Sequence, residues 1–307
     1  MFPQLKAFEK IVISWLDQAR LNHDFIPGSR LLLIFERMRM SRTRVYNSLL
    51  VQQKAIYSVF LDREVTIDAY LPKNISHPEN LSLLLINDGQ DLLTMDFGAM
   101  LDSMISTSVI APLICIGIQC GPERKMEYGV SYSADYQGLG AKAGLYSKFI
   151  LDELIPFIRK SYNIPSFKEK CFAGFSLGGL SAMDIAWNHA AEFTKVGLFS
   201  GALWWRRKSY EDGYSNDKDR LMHLQVRSGN FYPWMKFFIE CGALDETADR
   251  NNNGIIDSID DALDLIKELK GKGFTDEHIC YKELPDGRHD IVTWAKVMPD
   301  FLRWGFC

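Results

Sequence analysis

The 307-residue sequence has no run of apolar residues approaching the roughly 20 that a membrane-spanning helix needs. It has no C-x-x-C pair among its six cysteines, no internal repeat and no low-complexity tract. Its 35 basic and 39 acidic residues leave a net charge of −4, so no basic surplus favours nucleic acid or an anionic membrane as a partner. This composition is typical of a soluble globular protein.

The cysteines are predicted to be reduced. Cys115, Cys171 and Cys280 lie in apolar or strand-like runs, where a thiol usually behaves as a small buried hydrophobe. Residues 1–33 do not resemble a signal peptide, because the apolar run Ile11–Leu16 is short and charged residues follow it. Together these features predict a cytoplasmic protein.

Strand-like and helix-like segments alternate from about residue 45 to the end of the chain. Such alternation is typical of a largely parallel sheet covered by helices. Ile56–Leu61 and Val65–Leu71 read as an antiparallel hairpin that precedes the alternating part. We therefore predict one α/β domain over residues 45–307, with a mostly parallel sheet, an N-terminal antiparallel hairpin and helices on both faces.

Two segments depart from this regular pattern. Residues 1–44 precede the alternation and carry apolar residues near helical spacing, which predicts an N-terminal extension with an amphipathic helix. Ala143–Tyr162 has helical periodicity, but Pro156 lies inside it and should kink or break the helix.

Gly174–Gly179 carries the strongest functional signal. Its sequence, Gly-Phe-Ser-Leu-Gly-Gly, fits the G-x-S-x-G nucleophile elbow, and it lies between a predicted strand and a predicted helix. Glycines two residues before and after Ser176 would remove side chains that collide in so sharp a turn. Leu177 begins the helix, so its N–H can serve as one donor of an oxyanion hole. The alternative is a glycine-rich turn without chemistry.

A nucleophilic serine at neutral pH needs an adjacent base. In α/β-hydrolases the triad follows the order serine, acid, histidine along the chain. His289 fits this order, in the loop that follows a strand ending at Leu284. The other histidines precede the serine or every acid candidate, or lie at unsuitable points of a helix or strand: His23, His77, His189, His223 and His278.

The acid should follow an intervening strand, and both Asp245 and Glu246 do so. A second oxyanion donor is expected from the loop after the third strand, where Gly89 permits a tight turn and Gln90 can present its N–H. Alternatively, Asp245 and Glu246 are solvated loop carboxylates, and the loop of Gly89 and Gln90 is a simple turn.

Residues 45–307 resemble the putative-esterase family of α/β-hydrolases, which includes esterase D-like enzymes, enterochelin esterases, feruloyl esterases and mycolyltransferases. The resemblance rests on Leu71-Pro72, Asp88-Gly89-Gln90, Tyr136 with Gly138 and Gly140, Glu153–Ile158, Gly174–Gly179, Ser200-Gly201 and Gly287–Asp290. It implies that Asp245 is the acid, because Gly242-Ala243-Leu244-Asp245 looks like the family's Gly-x-x-Asp segment. It also implies that Gln90 contributes an oxyanion N–H.

Some side chains near the expected site could line a substrate pocket. Trp204 and Trp205 follow a predicted strand and could form an apolar wall, although they could equally pack on the core. Arg124, with Glu127 and Tyr128, follows another strand and could face the pocket or remain ordinary surface.

Residues 249–260 match the spacing of an EF-hand calcium loop. Gly254 would allow the sharp turn, and an Asp replaces the usual Glu at the last position. The alternative is an Asx-rich turn in which Ser258 caps the next helix. The predicted ligands of a structural calcium ion are Asp249, Asn251, Asn253, the carbonyl of Ile255, Asp257 and Asp260.

The sequence as a whole predicts a serine esterase that acts on a small-molecule carboxylic ester without a catalytic cofactor. Two alternatives stay open. The acyl group could be transferred to an alcohol instead of water, or the fold could be a binding module without catalysis. The oligomeric state is not predicted.

Overall fold

The computed structural model describes residues 43–73, 75 and 77–307. Nine strands form one sheet in the order β1-β2-β3-β5-β4-β6-β7-β8-β9. The strands are β1 (Thr43–Val45), β2 (Leu49–Ser58), β3 (Arg63–Pro72), β4 (Ser82–Asn87), β5 (Leu113–Ile118), β6 (Lys170–Phe175), β7 (Lys195–Phe199), β8 (Lys236–Gly242) and β9 (Ile279–Leu284).

Helices connect the strands that follow β4. They are α1 (Phe97–Ser106), α2 (Arg124–Glu127), α3 (Ala143–Lys148), α4 (Ile155–Tyr162), α5 (Leu177–Asn188), α6 (Asn216–Asp219), α7 (Leu221–Ser228), α8 (Asp257–Lys272) and α9 (Ile291–Phe306). A π-helical segment, Phe149–Leu154, joins α3 to α4, and 3₁₀ turns occupy Pro78–Asn80 and Gly89–Leu93.

The sheet has an antiparallel part and a parallel part. β1, β2 and β3 pair antiparallel, and β3 is also antiparallel to β5. The neighbours from β5 through β4, β6, β7 and β8 to β9 all pair in parallel. The predicted fold class, a mostly parallel sheet with an N-terminal hairpin, is confirmed.

Each face of the sheet has its own hydrophobic core, because successive side chains of a strand point to opposite faces. Leu84 and Ile86 of β4 pack on the side of α1 and α9. Leu83 and Leu85 pack on the side of α4, α5 and α8. Strands buried on both faces read as continuous apolar runs, which is why the sequence revealed the central strands.

Local details differ from the prediction in ways that side-chain burial explains. The hairpin is confirmed, but β2 spans Leu49–Ser58, so it begins earlier than predicted and residues 59–61 lie in the turn. The polar side chains of Gln52 and Lys54 occupy partly exposed positions of β2, and they hid its first half from a reading based on apolar runs. Pro156 lies in the first turn of α4, immediately after the π segment, so the helix is irregular there but continues.

The N-terminal end of the sheet lies close to the predicted domain boundary. β1 begins at Thr43 and pairs with β2. The amphipathic helix expected in residues 1–44 falls almost entirely within residues 1–42, which are outside the described residues, and it stays a prediction. Within the part of the chain that the structure describes, no helix combines the length and apolar character needed to cross a bilayer.

Asp102 of α1 fastens the start of β2 to the helical layer. Its carboxylate is buried and accepts hydrogen bonds from the backbone N–H groups of Asn47, Ser48 and Leu49, at 3.3, 2.6 and 3.1 Å. Asp102→Ala should lower the free energy of unfolding by about 2 kcal/mol, because three backbone donors, of which the Leu49 N–H is buried, would lose a charged acceptor. Urea denaturation measures this, with the 89 % exposed Asp276 replaced by Ala as the control. Equal midpoints for the two variants would contradict the assignment.

Candidate active site

Ser176 lies between β6 and α5 in a backbone conformation that L-residues rarely adopt, with φ 52° and ψ −121°. The two flanking glycines make this possible. A Cβ on Gly174 would lie 2.4 Å from the carbonyl carbon of Gly178, and a Cβ on Gly178 would lie 2.5 Å from Oδ2 of Asp88. The segment therefore has the strained strand–turn–helix geometry that a nucleophile elbow requires.

Hydrogen bonds to the neighbouring strand end hold the elbow in place. The Ser176 N–H donates to the Phe199 carbonyl at 2.9 Å, and the Ala202 N–H donates to the Ser176 carbonyl at 3.0 Å. Leu177 is the first residue of α5, so its N–H has no acceptor within the helix. This is the position expected of an oxyanion donor.

The loop after β4 lies against the elbow. The Asn87 amide donates to the Gly178 carbonyl at 2.8 Å, and Asp88 adopts a left-handed conformation with φ 59°. A Cβ on Gly89 would lie 2.3 Å from the carbonyl carbon of Gly117, so only glycine fits this close approach to β5. Gln90 is the second residue of the following 3₁₀ turn, where early N–H groups lack partners within the turn.

Arg124 braces this loop through a two-pronged ion pair. Its Nε and one terminal nitrogen donate to the two carboxylate oxygens of Asp88, at 2.7 and 2.6 Å. Glu127 instead pairs with Arg63 on the hairpin, and Tyr128 is buried. The sequence left all three as pocket or ordinary surface residues; the structure gives each a contact within the protein, and the pocket role of Arg124 stays a prediction.

His289 and Asp245 lie together on two loops that are hydrogen-bonded to each other. The Leu244 N–H donates to the Gly287 carbonyl at 2.8 Å, and a Cβ on Gly242 would lie 2.5 Å from both Asp245 Oδ1 and the carbonyl carbon of Gly287. His289 Nδ1 is 3.8 Å from Asp245 Oδ2. This distance is within ion-pair range but longer than a hydrogen bond.

The two partners differ sharply in exposure. The Asp245 side chain is 1 % exposed and that of His289 is 40 % exposed. Neither carboxylate oxygen of Asp245 has a hydrogen-bond partner among the described residues. Glu246, the other acid candidate, is exposed. Of the two carboxylates, the structure thus places Asp245 beside the imidazole.

An aromatic pair connects His289 with the elbow. The imidazole contacts the Trp294 ring edge to face, at 5.4 Å between centroids, and Trp294 stacks on Phe175 at 5.0 Å. Phe175 immediately precedes Ser176. The Trp294 Nε1 also donates to Ser200 Oγ at 3.0 Å, which orients the indole. The loop of His289 and the turn of Ser176 therefore pack on one aromatic surface.

The two tryptophans suggested for the pocket have different environments. Trp205 is 1 % exposed and packs closely on Gly129 and Gly140, which is the core role that the sequence left open. Trp204 is 40 % exposed and lies in the loop whose Ala202 N–H binds the Ser176 carbonyl. Of the two, Trp204 has the surface that a substrate could contact.

The calcium-like loop is closed by its own hydrogen bonds. Asp249 accepts from the N–H groups of Asn253 and Gly254, at 3.1 and 2.9 Å. Asp260 Oδ2 accepts from the side-chain amides of Asn251 and Asn253, at 2.7 and 2.9 Å. No group of three or more His, Cys, Asp or Glu side chains in the described ranges is placed to hold a metal.

The alternative interpretation of this loop is correct for the Asx-rich turn, whose Asp and Asn side chains accept from backbone N–H groups of the loop, but wrong for the Ser258 cap. α8 begins at Asp257, so Ser258 is inside the helix, and its hydroxyl has no hydrogen-bond partner within the described part. Asp257 instead accepts from the Arg250 N–H at 2.8 Å. The calcium site itself stays a prediction.

Comparison with known proteins shows both the fold class and the family of this chain. The fold is that of α/β-hydrolase-type esterases: a solved ferulic acid esterase superposes with a TM-score of 0.63 at 15 % identity, over 86 % of this chain and 98 % of that structure. The profile of the family described as Putative esterase matches residues 58–304, and the chain belongs to this family. It is accordingly a carboxylic ester hydrolase.

Two curated proteins match most of the chain. The uncharacterized protein YjcH of Bacillus subtilis (strain 168) is 26 % identical over 257 residues, which cover 82 % of this chain and 96 % of that protein. An acetyl esterase of Caldicellulosiruptor saccharolyticus is 24 % identical over 294 residues, which cover 83 % and 97 %.

Sequence reasoning missed several residues that shape the site. Asn87 and Asp88 position the loop after β4, Trp294 contacts His289, and Ser200 holds Trp294. Asp88 precedes Gly89, and this Asp-Gly turn signal could have identified it. For Trp294 no local signal existed, since a tryptophan in an amphipathic helix reads as ordinary core.

Gly242→Ala should lower kcat/KM for ester hydrolysis by about tenfold or more, because the added methyl would displace Asp245 from His289 or push the two loops apart. Steady-state kinetics on a chromogenic ester would measure the change. Gly305→Ala, in α9, is the matched control, since its Cβ would meet no atom within 4 Å. Equal losses in both variants would show that the close approach at Gly242 does not matter.

Calcium should raise the melting temperature of the protein and a chelator should lower it, because a bound ion would brace the loop that follows Asp245. Thermal denaturation with added CaCl₂ or EGTA measures the shift. Asp249→Ala should remove the response, whereas Asp276→Ala should retain it. No shift in either condition would exclude a structural calcium ion in this loop.

Proposed function

We propose that the protein hydrolyses its ester through an acyl-enzyme on Ser176, with His289 as the base and Asp245 as the carboxylate that supports it. The observation that carries this proposal is the strained Ser176 turn at the same sheet edge where the loops of Asp245 and His289 are joined. A serine held at φ 52° is costly, and such strain is concentrated at functional sites.

The geometry supports a defined direction of proton transfer. His289 Nδ1 faces Asp245, which leaves Nε2 to take the proton from Ser176 as the hydroxyl oxygen attacks the ester carbonyl carbon. Asp245 stabilises the imidazolium that forms. The backbone N–H groups of Leu177 and Gln90 would hold the oxyanion of the tetrahedral intermediate.

The intermediate then collapses to the acyl-enzyme. His289 returns the proton to the departing alkoxide oxygen, and the alcohol leaves. Water attacks the acyl carbon with His289 again as the base, which releases the acid and restores the Ser176 hydroxyl. These steps use only side chains and backbone groups of this chain and need no cofactor.

The substrate is proposed to be a small-molecule ester with a compact or planar acyl group. The names of the curated acetyl esterase and of the structurally similar ferulic acid esterase support this class. The half-exposed Trp204 would supply an apolar wall, since an aromatic ring offers a flat surface to either acyl group.

A reducing compartment, as in the cytoplasm, is also proposed. All six cysteines lie within the described residues and none forms a disulfide, and Cys115, Cys171 and Cys241 are buried in the core. These buried thiols act as small hydrophobic side chains.

Ser176→Ala should abolish hydrolysis and leave the melting temperature within a few degrees of the original, because the hydroxyl makes no core contact that the fold requires. The losses of serine hydrolases on removal of the nucleophile are of order 10⁶ in kcat. A fluorophosphonate probe, followed by peptide mass spectrometry, should label Ser176 in the wild type and in Ser228→Ala, which alters an exposed hydroxyl of α7. Retained turnover in Ser176→Ala would mean that another group is the nucleophile.

A further inference from the structure

Glu240, near the end of β8, is a buried carboxyl group that the proposed reaction does not use. Its side chain is fully buried, and neither of its carboxylate oxygens has a hydrogen-bond partner in the part of the chain that the structure describes. The same holds for both oxygens of Asp245, five residues further on. Two adjacent carboxyl groups with four unsatisfied oxygens are costly to bury unless they satisfy each other.

The strand geometry places Glu240 on the side of the sheet that supports His289. Alternate residues of β8 share a face, so Glu240 lies on the same face as Phe238, which packs on Phe301 of α9 at 5.4 Å between centroids. The Ser200 N–H donates to the Glu240 carbonyl at 2.9 Å, and Ser200 Oγ accepts from Trp294 Nε1. Trp294 in turn contacts His289.

Among the described residues, no cationic side chain forms an ion pair with Glu240. Lys282 is its neighbour in the register of β9, but the Lys282 ammonium is half-exposed and lies 3.6 Å from Asp300 Oδ2 on α9. The other titratable groups that interact with Glu240 are Asp245, Cys241 and Tyr281, and Ser200 is the neutral donor beside it. Two buried carboxyl groups without a cation do not both ionise, because the second charge would face both desolvation and repulsion.

Other buried carboxylates in the described ranges have partners, which makes this pair unusual. Asp88 pairs with Arg124, Glu127 with Arg63, and Asp261 with Arg220. Asp102 accepts from three backbone N–H groups, and Asp184 accepts from the Ser131 N–H. Within the described residues, the buried acids whose carboxylate oxygens both lack a hydrogen-bond partner are therefore Glu240 and Asp245.

We propose that Glu240 is a positioning residue that keeps its proton at neutral pH and donates a hydrogen bond to Asp245. This inference rests on the proposed function, in which Asp245 supports His289. The Glu240 hydroxyl binds Asp245 Oδ1, so that Oδ2, the oxygen that faces His289 Nδ1, remains free for the imidazole. One proton thus satisfies an oxygen of each acid and keeps a single negative charge on Asp245.

The electrostatics of the site agree with this arrangement. Burial, and after it the negative charge of Asp245, raise the pKa of Glu240 to about 8, against a smaller lowering by the N–H and hydroxyl of Ser200. A carboxylic acid that remains neutral at pH 7 can act as a hydrogen-bond donor within an active site. Above about pH 8 Glu240 would ionise, and the repulsion between the two carboxylates would move Asp245 away from its position beside His289.

The kinetic test compares Glu240→Gln with Glu240→Leu. The glutamine amide can still donate to Asp245 but cannot ionise. In Glu240→Gln, kcat/KM should therefore stay within about threefold of wild type at pH 6.5. The decline in kcat/KM that we expect for wild type above about pH 8 should be absent from this variant. Leucine cannot donate, so kcat/KM should fall at least about tenfold throughout, with KM less affected than kcat. A merely structural Glu240 would leave the shape of the pH profile unchanged in Glu240→Gln, which would overturn the proposal.

Two further measurements do not depend on catalytic activity. Infrared difference spectra of the wild type should show a protonated-carboxyl C=O band that disappears as the pH rises through about 8, and Glu240→Gln should lack it. A wild type whose carboxyl bands all disappear by pH 6 would overturn the proposal.

Protein stability gives the second activity-independent measurement. The folded state binds this proton more tightly than the unfolded chain, so the stabilisation is full below the ordinary glutamate pKa of 4.5 and is lost as the pH rises toward about 8. The melting temperature of the wild type should therefore fall more than that of Glu240→Gln over this range, and equal slopes would count against a protonated Glu240. The two proposals can fail separately. If the probe does not label Ser176, but the infrared band and the steeper fall of melting temperature with pH are both observed, the proposed function is wrong and the protonated Glu240 is supported.

Discussion

The backbone of Ser176 is held in a conformation that costs on the order of 1–3 kcal/mol, and the arrangement of the site depends on it. The turn exists because Gly174 and Gly178 bring their backbones into contact and because the ends of β7 and of the following loop hydrogen-bond to Ser176. The parallel sheet stabilises the strain, since β6 is buried between β4 and β7. A turn of this kind would not persist on an edge strand, where fewer contacts determine the backbone.

The same principle of close backbone approach brings Asp245 and His289 together. Gly242 and Gly287 touch, so the loops after β8 and β9 form one hydrogen-bonded unit that carries Asp245 and His289. Because β8 and β9 are parallel neighbours, their carboxyl ends lie at the same edge of the sheet. Trp294 then connects this unit to β6 through its stacking on Phe175. Side chains from three distant segments are in this way fixed by backbone packing and one aromatic pair.

The sequence could predict the features that depend on local patterns. The order of strands and helices, the elbow around Ser176, and the loop position of His289 all follow from periodicity, glycine spacing and chain order. The choice of Asp245 over Glu246 required the family resemblance, because both residues follow the same strand. The structure adds the reason for the difference: Asp245 is turned inward against Gly242, and Glu246 faces solvent.

What the sequence could not predict are pairings between residues far apart in the chain. The Arg124–Asp88 ion pair joins residues 36 positions apart, and no pattern distinguishes Arg124 from a surface arginine. Similarly, Glu240 reads as one polar residue in an apolar strand. Its role can be inferred only from the partners of the buried acids. Elsewhere in the described chain these acids have guanidinium or N–H partners, but the carboxylate oxygens of Glu240 and Asp245 have none. A fold selected for stability alone would remove such a group or pair it, because a well-packed apolar side chain costs less than an unpaired buried acid. An acid that remains there is best explained by a role in setting the charge and position of Asp245.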